Sequence, residues 1–339
     1  MTGEASFAHY VVAGAVVLAA GLALFGARRM VAVIGFLIFG TLLSLYWALI
    51  SAPDVALAEA AIGAGVTGAL FVAAVTALGR SARIGPQGPS ALAASLGVSA
   101  VLAVVLGLAL TRAAVGSAGE PPGLGERVAE ALPETGVEHP VTGVLLNLRS
   151  LDTLLEMVVL LAAAAIALSF LRPSPTTPAA RQPLGPVLDG FVRLVLPVVI
   201  ALAAWLLFAG SSQPGGAFQS GAVVAAVLIL LHLAGVRPLQ PSRGWLLLLA
   251  FGVAAFIAVG VGGLISGGAW LELRGDLAFP VTVALETALT LTIGASLATV
   301  FAAVSQPRPA DDEPADEAGN DHAGDEEPRK DRAQDEVTS

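Results

Sequence analysis

The segment DTLLEMVVLLAAAAIALSFL, residues 152–171, is apolar for long enough to cross a membrane, yet it opens with two carboxylates, Asp152 and Glu156. At ~1.5 Å per residue, a helix of this length matches the roughly 30 Å hydrocarbon core of a bilayer. Comparable runs lie at 8–27, 30–50, 53–79, 90–112, 191–210, 218–236, 244–266 and 280–304. Only a helix or a closed barrel satisfies its own backbone in lipid, and runs of this length suit helices. The expectation is an all-α integral membrane protein with about nine transmembrane helices, multi-pass in the cell membrane.

Composition agrees with this. Of 339 residues, 56% are apolar and 13% charged, against about 25% charged in soluble domains; this excludes an ordinary soluble enzyme. The net charge of −9 is set by one end, because residues 305–339 hold twelve acids and four bases. The rest is nearly neutral, so there is no nucleic-acid footprint. The tail lacks apolar periodicity and is expected to be disordered and cytoplasmic. Without cysteine, thiolate chemistry is excluded. His9, His139, His232 and His322 stand far apart, none at a zinc-motif spacing, and are read as loop, interface or packing residues.

Arginine sets the orientation. Arg28 and Arg29, Arg80 and Arg83, Arg172 and Arg181, and Arg237 and Arg243 fall on alternate connections, while the opposite set carries Arg112, Arg127, Arg149 and Arg274. The positive-inside rule then gives an N-out, C-in chain. The outer connection 113–150 repeats Glu126, Glu130, Glu134 and Glu138, reading as a solvated helical face broken at Pro133, with a cation-attracting mouth as the alternative. Residues 141–148 are apolar but too short to cross, which suits an interfacial position or a protein-buried re-entrant turn.

An ionisable group at mid-membrane costs ~2.5–3.5 kcal/mol even on the mild insertion scale, so each acid there needs a reason. Asp54 and Asp152 lie at helix starts, where capping explains them, and Thr153 to Glu156 repeats a capping-box spacing. Glu59 and Glu286 each follow a proline by six residues, about 9 Å into their helices and beyond the reach of a cap. Glu156 is intermediate. In the arginine topology the three glutamates lie at similar depth in the outer half of the membrane. They predict either a shared polar cavity or separate contacts with neighbouring subunits. The stretch Gln213-Pro214-Gly215-Gly216-Ala217-Phe218-Gln219-Ser220-Gly221 reads as a tight outer hairpin, or alternatively as backbone exposing carbonyls to an ion. Gly63, Gly65 and Gly68 read as helix-packing residues. The single lysine, Lys330, lies in the tail, so the body has no lysine to alternate with its acids.

Three blocks resemble the multi-subunit cation/proton antiporters of the Mrp/Mnh type and their relatives in membrane-bound hydrogenases. Residues 52–71 are similar to a helix in the C-terminal extension of the large A subunit, keeping Pro53, Asp54, Glu59, Gly63 and Gly65, with Ala58 for a threonine. Residues 134–160 resemble the next block, with Asn147 for an aspartate and Ser150 and Leu155 for glycines. Residues 186–304 resemble the four-helix B subunit with its Pro-Gly-Gly-Gly-Phe-x-Gly-Gly hairpin. Pro214, Gly215, Gly216, Phe218 and Gly221 match that hairpin, and Glu286 takes the place of an aspartate.

The resemblance implies a fusion: a five-helix A-subunit extension (MbhD/MbhE-like) over 1–172, a cytoplasmic linker at 173–190, an MnhB/MrpB-like domain over 191–304, and the tail 305–339. It implies an accessory subunit, not an enzyme, of a Na+/H+ antiporter. Glu59, Glu156 and Glu286 are the ion-path candidates, supported by Asp54, Asp152 and Thr153. The partners implied are the bilayer and other antiporter-complex subunits, including separate lysine-bearing proton-pumping ones. No resident metal or cofactor is expected; Na+ and H+ are cargo. The alternatives are the membrane arm of a hydrogenase or complex I-like machine, and a structural scaffold whose acids only pin interfaces.

Overall fold

The computed structural model describes residues 7–26, 28–78, 89–116, 124–171, 186–235, 239, 241–266, 268–271 and 277–306. The expected tail from 307 onward, most of the linker, and Arg80, Arg83, Arg172, Arg181, Arg237 and Arg274 lie outside them. Each apolar run forms a helix: α1 (Phe7–Phe25), α2 (Arg29–Leu49), α3 (Pro53–Ala58) continuing through a π-helical segment (Glu59–Val66) into α4 (Thr67–Leu78), and α5 (Pro89–Gly116). Two short helices, α6 (Leu124–Ala131) and α7 (Pro140–Gly143), precede α8 (Ser150–Phe170), α9 (Pro186–Ala209), α10 (Ala217–Leu233), α11 (Arg243–Ile265) and α12 (Ala278–Val304). No strand occurs among the described residues. Seven helices are long and apolar enough to cross a membrane, joined by two shorter apolar stretches, Gly97–Ala113 and Ala217–Leu233. The chain is a multi-pass membrane protein.

The 27-residue α12 is the core element, packed against α4, α8, α9, α10 and α11. Its Leu285, Leu289 and Ile293 meet Met157 of α8 and Phe256 of α11 in one buried cluster. Lipid tails are as apolar as leucine, so the hydrophobic effect gives helices little reason to associate; close approach and hydrogen bonds take its place. Thr292 of α12 donates to the Leu248 carbonyl at 2.9 Å and accepts the Gly252 N–H at 2.8 Å, inserting its hydroxyl into a backbone bond of α11. The Trp245 indole N–H donates to the Thr299 hydroxyl at 2.9 Å. Against α10, Gly221 and Gly294 permit near contact: a β-carbon on Gly221 would lie 2.7 Å from Ile293 side-chain carbons, and one on Gly294 2.6 Å from Val224 Cγ1.

Between α5 and α8 the chain forms a roof. After α6 it tightens into a 3-10 turn, Leu132–Thr135, at Pro133, and reverses at Gly136 with φ 74°. Then α7 leads into a second π-helical stretch, Val144–Leu148, with Thr142, Gly143 and Leu146 buried and Val141 and Leu148 exposed at the ends of the short apolar run. Four anchors hold it. The backbone N–H groups of Glu138 and His139 both donate to the Ser211 carbonyl at 3.0 Å. The His139 Nε2 atom hydrogen-bonds Asp54 Oδ1 at 2.9 Å. The Thr142 hydroxyl donates to the Gly210 carbonyl, and the Thr153 hydroxyl of α8 to the Leu145 carbonyl at 2.7 Å.

Two outcomes follow from this packing. Overfilling a tight contact costs roughly 1–3 kcal/mol, so Gly221→Val is expected to lower the thermal midpoint of the detergent-purified protein by several degrees. Gly107→Val, whose β-carbon meets nothing within 4 Å, is expected to leave it unchanged. A net side-chain hydrogen bond is worth about 1 kcal/mol. His139→Ala is therefore expected to speed amide hydrogen exchange in residues 138–148 roughly fivefold, and Asp54→Ala to do the same without adding to it in the double variant.

Candidate functional site

Under this roof lies a cavity of about 340 Å³ where α3, α8, α10 and α12 begin on one side of the molecule. Asp54, Thr142, Glu156, Gly216, Gln219 and Glu286 supply its polar wall, and apolar side chains such as Val141, Leu146 and Leu289 the rest. Of its carboxylates only Asp54 lies in a first turn, that of α3, where the helix N-terminus favours negative charge; Glu156 and Glu286 lie deeper in α8 and α12.

The glycine-proline hairpin shapes one wall. Gly216 takes φ 107° and ψ −169°, a conformation restricted to glycine, and its N–H donates to the Leu206 carbonyl at 2.8 Å. The turn is tight: a β-carbon on Gly215 would lie 2.5 Å from the Leu206 carbonyl oxygen, and one on Gly210 2.5 Å from the Gly216 α-carbon. This compression points the start of α10 at Glu286. That side chain is 3% exposed although it carries a carboxyl group. The Ala217 backbone N–H hydrogen-bonds it. Its Oε1 lies 3.2 and 3.1 Å from where β-carbons on Gly210 and Gly216 would stand, while Oε2 is buried without a hydrogen-bond partner. Glycine at both hairpin positions leaves the room that the carboxyl group fills.

Asp54 and Glu156 reach the same cavity from other elements. Asp54 makes no capping bond at the start of α3, contrary to the capping expectation, because its Oδ1 faces His139 across the cavity mouth. Its backbone carbonyl accepts from Gln219 Nε2 at 3.4 Å. Glu156, about two turns into α8, lines the cavity while its side chain stays exposed, so the cavity opens sideways at that helix.

Other expected residues fall elsewhere. Glu59 does not line the cavity. It starts the π-helical segment and folds over Gly63, where a β-carbon would collide with its carboxylate. Asp152 also makes no cap; it pairs with the exposed Arg149 and borders a separate, open groove of about 560 Å³ with Asn147 and Trp270. Thr153 is buried and ties α8 to the roof. Pro214 stands in the turn, and Gly215, Gly216 and Phe218 line the cavity. Two polar residues were not singled out from the sequence: His139, read as a loop, interface or packing residue, and Gln219, the variable position of the hairpin motif. An amide on the third residue of an otherwise apolar helix was the signal for Gln219.

Two stretches of the chain match known families. Residues 14–80 match the MbhD family, described as the D subunit of MBH, and residues 187–305 match the domain related to the MnhB subunit of Na+/H+ antiporter. The B subunit of the Na(+)/H(+) antiporter of Alkalihalophilus pseudofirmus is 29% identical over 110 residues, which cover 32% of this chain and 76% of that protein. A chain of the Mrp complex from Dietzia sp. DQ12-45-1b superposes with a TM-score of 0.72 at 23% identity, covering 93% of this chain. The present chain spans 36% of that longer one. A chain of the membrane-bound sulfane sulfur reductase, an archaeal respiratory membrane complex, superposes with a TM-score of 0.50 at 26% identity, over 62% of this chain and 96% of that one. The cavity thus lies where the two matched regions meet, with Asp54 from the first and Gln219 and Glu286 from the second. One polypeptide here thus carries a stretch similar to the MbhD family and a stretch similar to the domain related to the MnhB subunit of Na+/H+ antiporter.

Proposed function

We propose that the protein is an accessory membrane subunit of a multi-subunit Na+/H+ antiporter, in which the cavity carboxylates form part of a path for a monovalent cation or protons. The observation that carries this reading is Glu286: a carboxyl group 3% exposed, with one oxygen unpartnered, in a cavity shared with Asp54 and Glu156. Such a group is costly in an apolar interior and is retained where it exchanges a charge. The arginine pattern supports an outer-half position for the cavity. Lysine-bearing proton-pumping subunits are separate partners, consistent with a body whose sequence has no lysine before Lys330. Glu156 lines the cavity and is exposed on α8, so it is open to a neighbouring subunit. The geometry favours Glu286 and Glu156 over Glu59 for ion passage.

The match of residues 14–80 to the MbhD family favours a second reading, the membrane arm of a hydrogenase or another complex I-like machine. The subunits that co-purify with the chain separate the two.

The decisive measurement is sodium-driven proton movement in everted vesicles holding the assembled complex. Glu286→Gln and Glu156→Gln are each expected to lower exchange at least tenfold at unchanged complex abundance, with a smaller loss for Glu59→Gln. Full exchange in an assembled Glu286→Gln complex would reject the path and leave a scaffold role.

A further inference from the structure

We infer that Glu286 and Gln219 form a binding site for one partly dehydrated monovalent metal cation of sodium's size, at the Gly216 turn and open to the cavity. The inference rests on the proposed cation path and names where its ion stops.

The argument begins with the two oxygens of Glu286. One side of the carboxyl group is occupied by the Ala217 N–H, so the α10 N-terminus, which alone would suit an anion, is already satisfied by this side chain. Oε2 remains, buried and without a partner. A neutral oxygen on the same cavity wall comes from Gln219. Its Nε2 donates to the Asp54 carbonyl, which turns Oε1 toward the hairpin. A β-carbon on Gly216 would stand 3.1 Å from Glu286 Oε1 and 3.9 Å from Gln219 Oε1, so the Oε1 atoms of the two side chains lie no more than about 7 Å apart, with Oε2 the carboxyl group's other oxygen. A hard cation of about calcium's radius takes oxygen ligands at roughly 2.3–2.6 Å. It can therefore join the two side chains directly or through one water.

Charge selects the ion. Glu286 offers one negative charge and Gln219 none. Among the described residues no three His, Cys, Asp or Glu side chains converge as a metal cluster. Of the cavity's other carboxylates Asp54 is turned to His139 and Glu156 is exposed at α8, so one charge is left at the Gly216 turn; a monovalent ion balances it, whereas a divalent one would be left half-compensated. Gln219 is itself 8% exposed, so its amide oxygen is held in place and not shared with bulk water.

The test uses the full-length chain in lipid nanodiscs, with the thermal midpoint followed against NaCl at constant ionic strength set by choline chloride. Ligand that binds only the folded state raises this midpoint. The wild type is expected to be stabilised by Na+, Glu286→Gln to lose the effect, and Gln219→Leu to need at least tenfold more Na+ for half of it. The midpoint of each variant in choline alone reports its folding. Gln219→Glu, which supplies a second carboxylate, is expected to make CaCl2 stabilising, a gain that a merely structural glutamine would not produce. Equal Na+ midpoints in wild type and both loss variants would overturn the site, as would a wild type indifferent to Na+. In that second case, loss of exchange by Glu286→Gln in assembled vesicles would still leave the path standing, as one for protons. Na+ stabilisation that depends on Glu286, together with full exchange in the assembled variant, would support the site and reject the path.

Discussion

A carboxyl group held at 3% exposure inside a membrane helix is the constraint around which this structure is arranged. Leaving such a group unmatched costs several kcal/mol, so neighbouring elements must offer it dipoles or an ion. The protein brings the start of α10 to it. That requires a reversal between α9 and α10 tight enough to exclude β-carbons at Gly210 and Gly215, and a backbone at Gly216 with φ 107°. The hairpin is therefore the consequence of Glu286 as much as a connection between two spans. Its glycines serve packing and electrostatics together.

The same logic explains the roof. The cavity beside Glu286 would be open above if residues 137–148 were not fastened across it, and the fastenings run to three different parts of the chain. His139 reaches Asp54 of α3, Thr142 reaches the hairpin, and Leu145 is held by Thr153 of α8. Each is modest alone. Because they share one short segment, loss of one weakens the others, as in any cooperative local unit. The open side of the cavity is then the face of α8 at Glu156. An exposed carboxylate two turns into an apolar helix calls for a polar neighbour there.

Much of this fold was legible because lipid makes a simple demand: a run of about twenty apolar residues must satisfy its backbone internally, and each such run is a helix here. Glu286, Glu156 and Asp54 were legible as carboxylates too deep or too apolar in setting to ignore. Their convergence was not, since it depends on how α3, α8, α10 and α12 assemble. Glu59 shows the limit of helical spacing. A regular helix would hold it about 140° from Asp54, but from Glu59 onward the chain is wound as a π-helix and the side chain folds back over Gly63. The two aspartates show another limit. Ser51 to Asp54 has a capping-box spacing, yet a stronger partner, His139, lies 85 residues away in the chain. Local pattern cannot weigh a distant donor.

Covalent linkage of the two matched regions has a physical consequence. The B subunit is a protein in its own right in Alkalihalophilus pseudofirmus, whereas here the related domain follows the first region in one chain. Separate subunits that build a shared cavity must offset lost translational and rotational freedom with contact energy. In a fused chain that loss is replaced by an effective concentration set by the linker, so weaker cross-contacts suffice. The polar contact between Gln219 and the Asp54 carbonyl, long at 3.4 Å, is of this kind. A fused chain can thus hold its cavity together with few strong bonds across the seam.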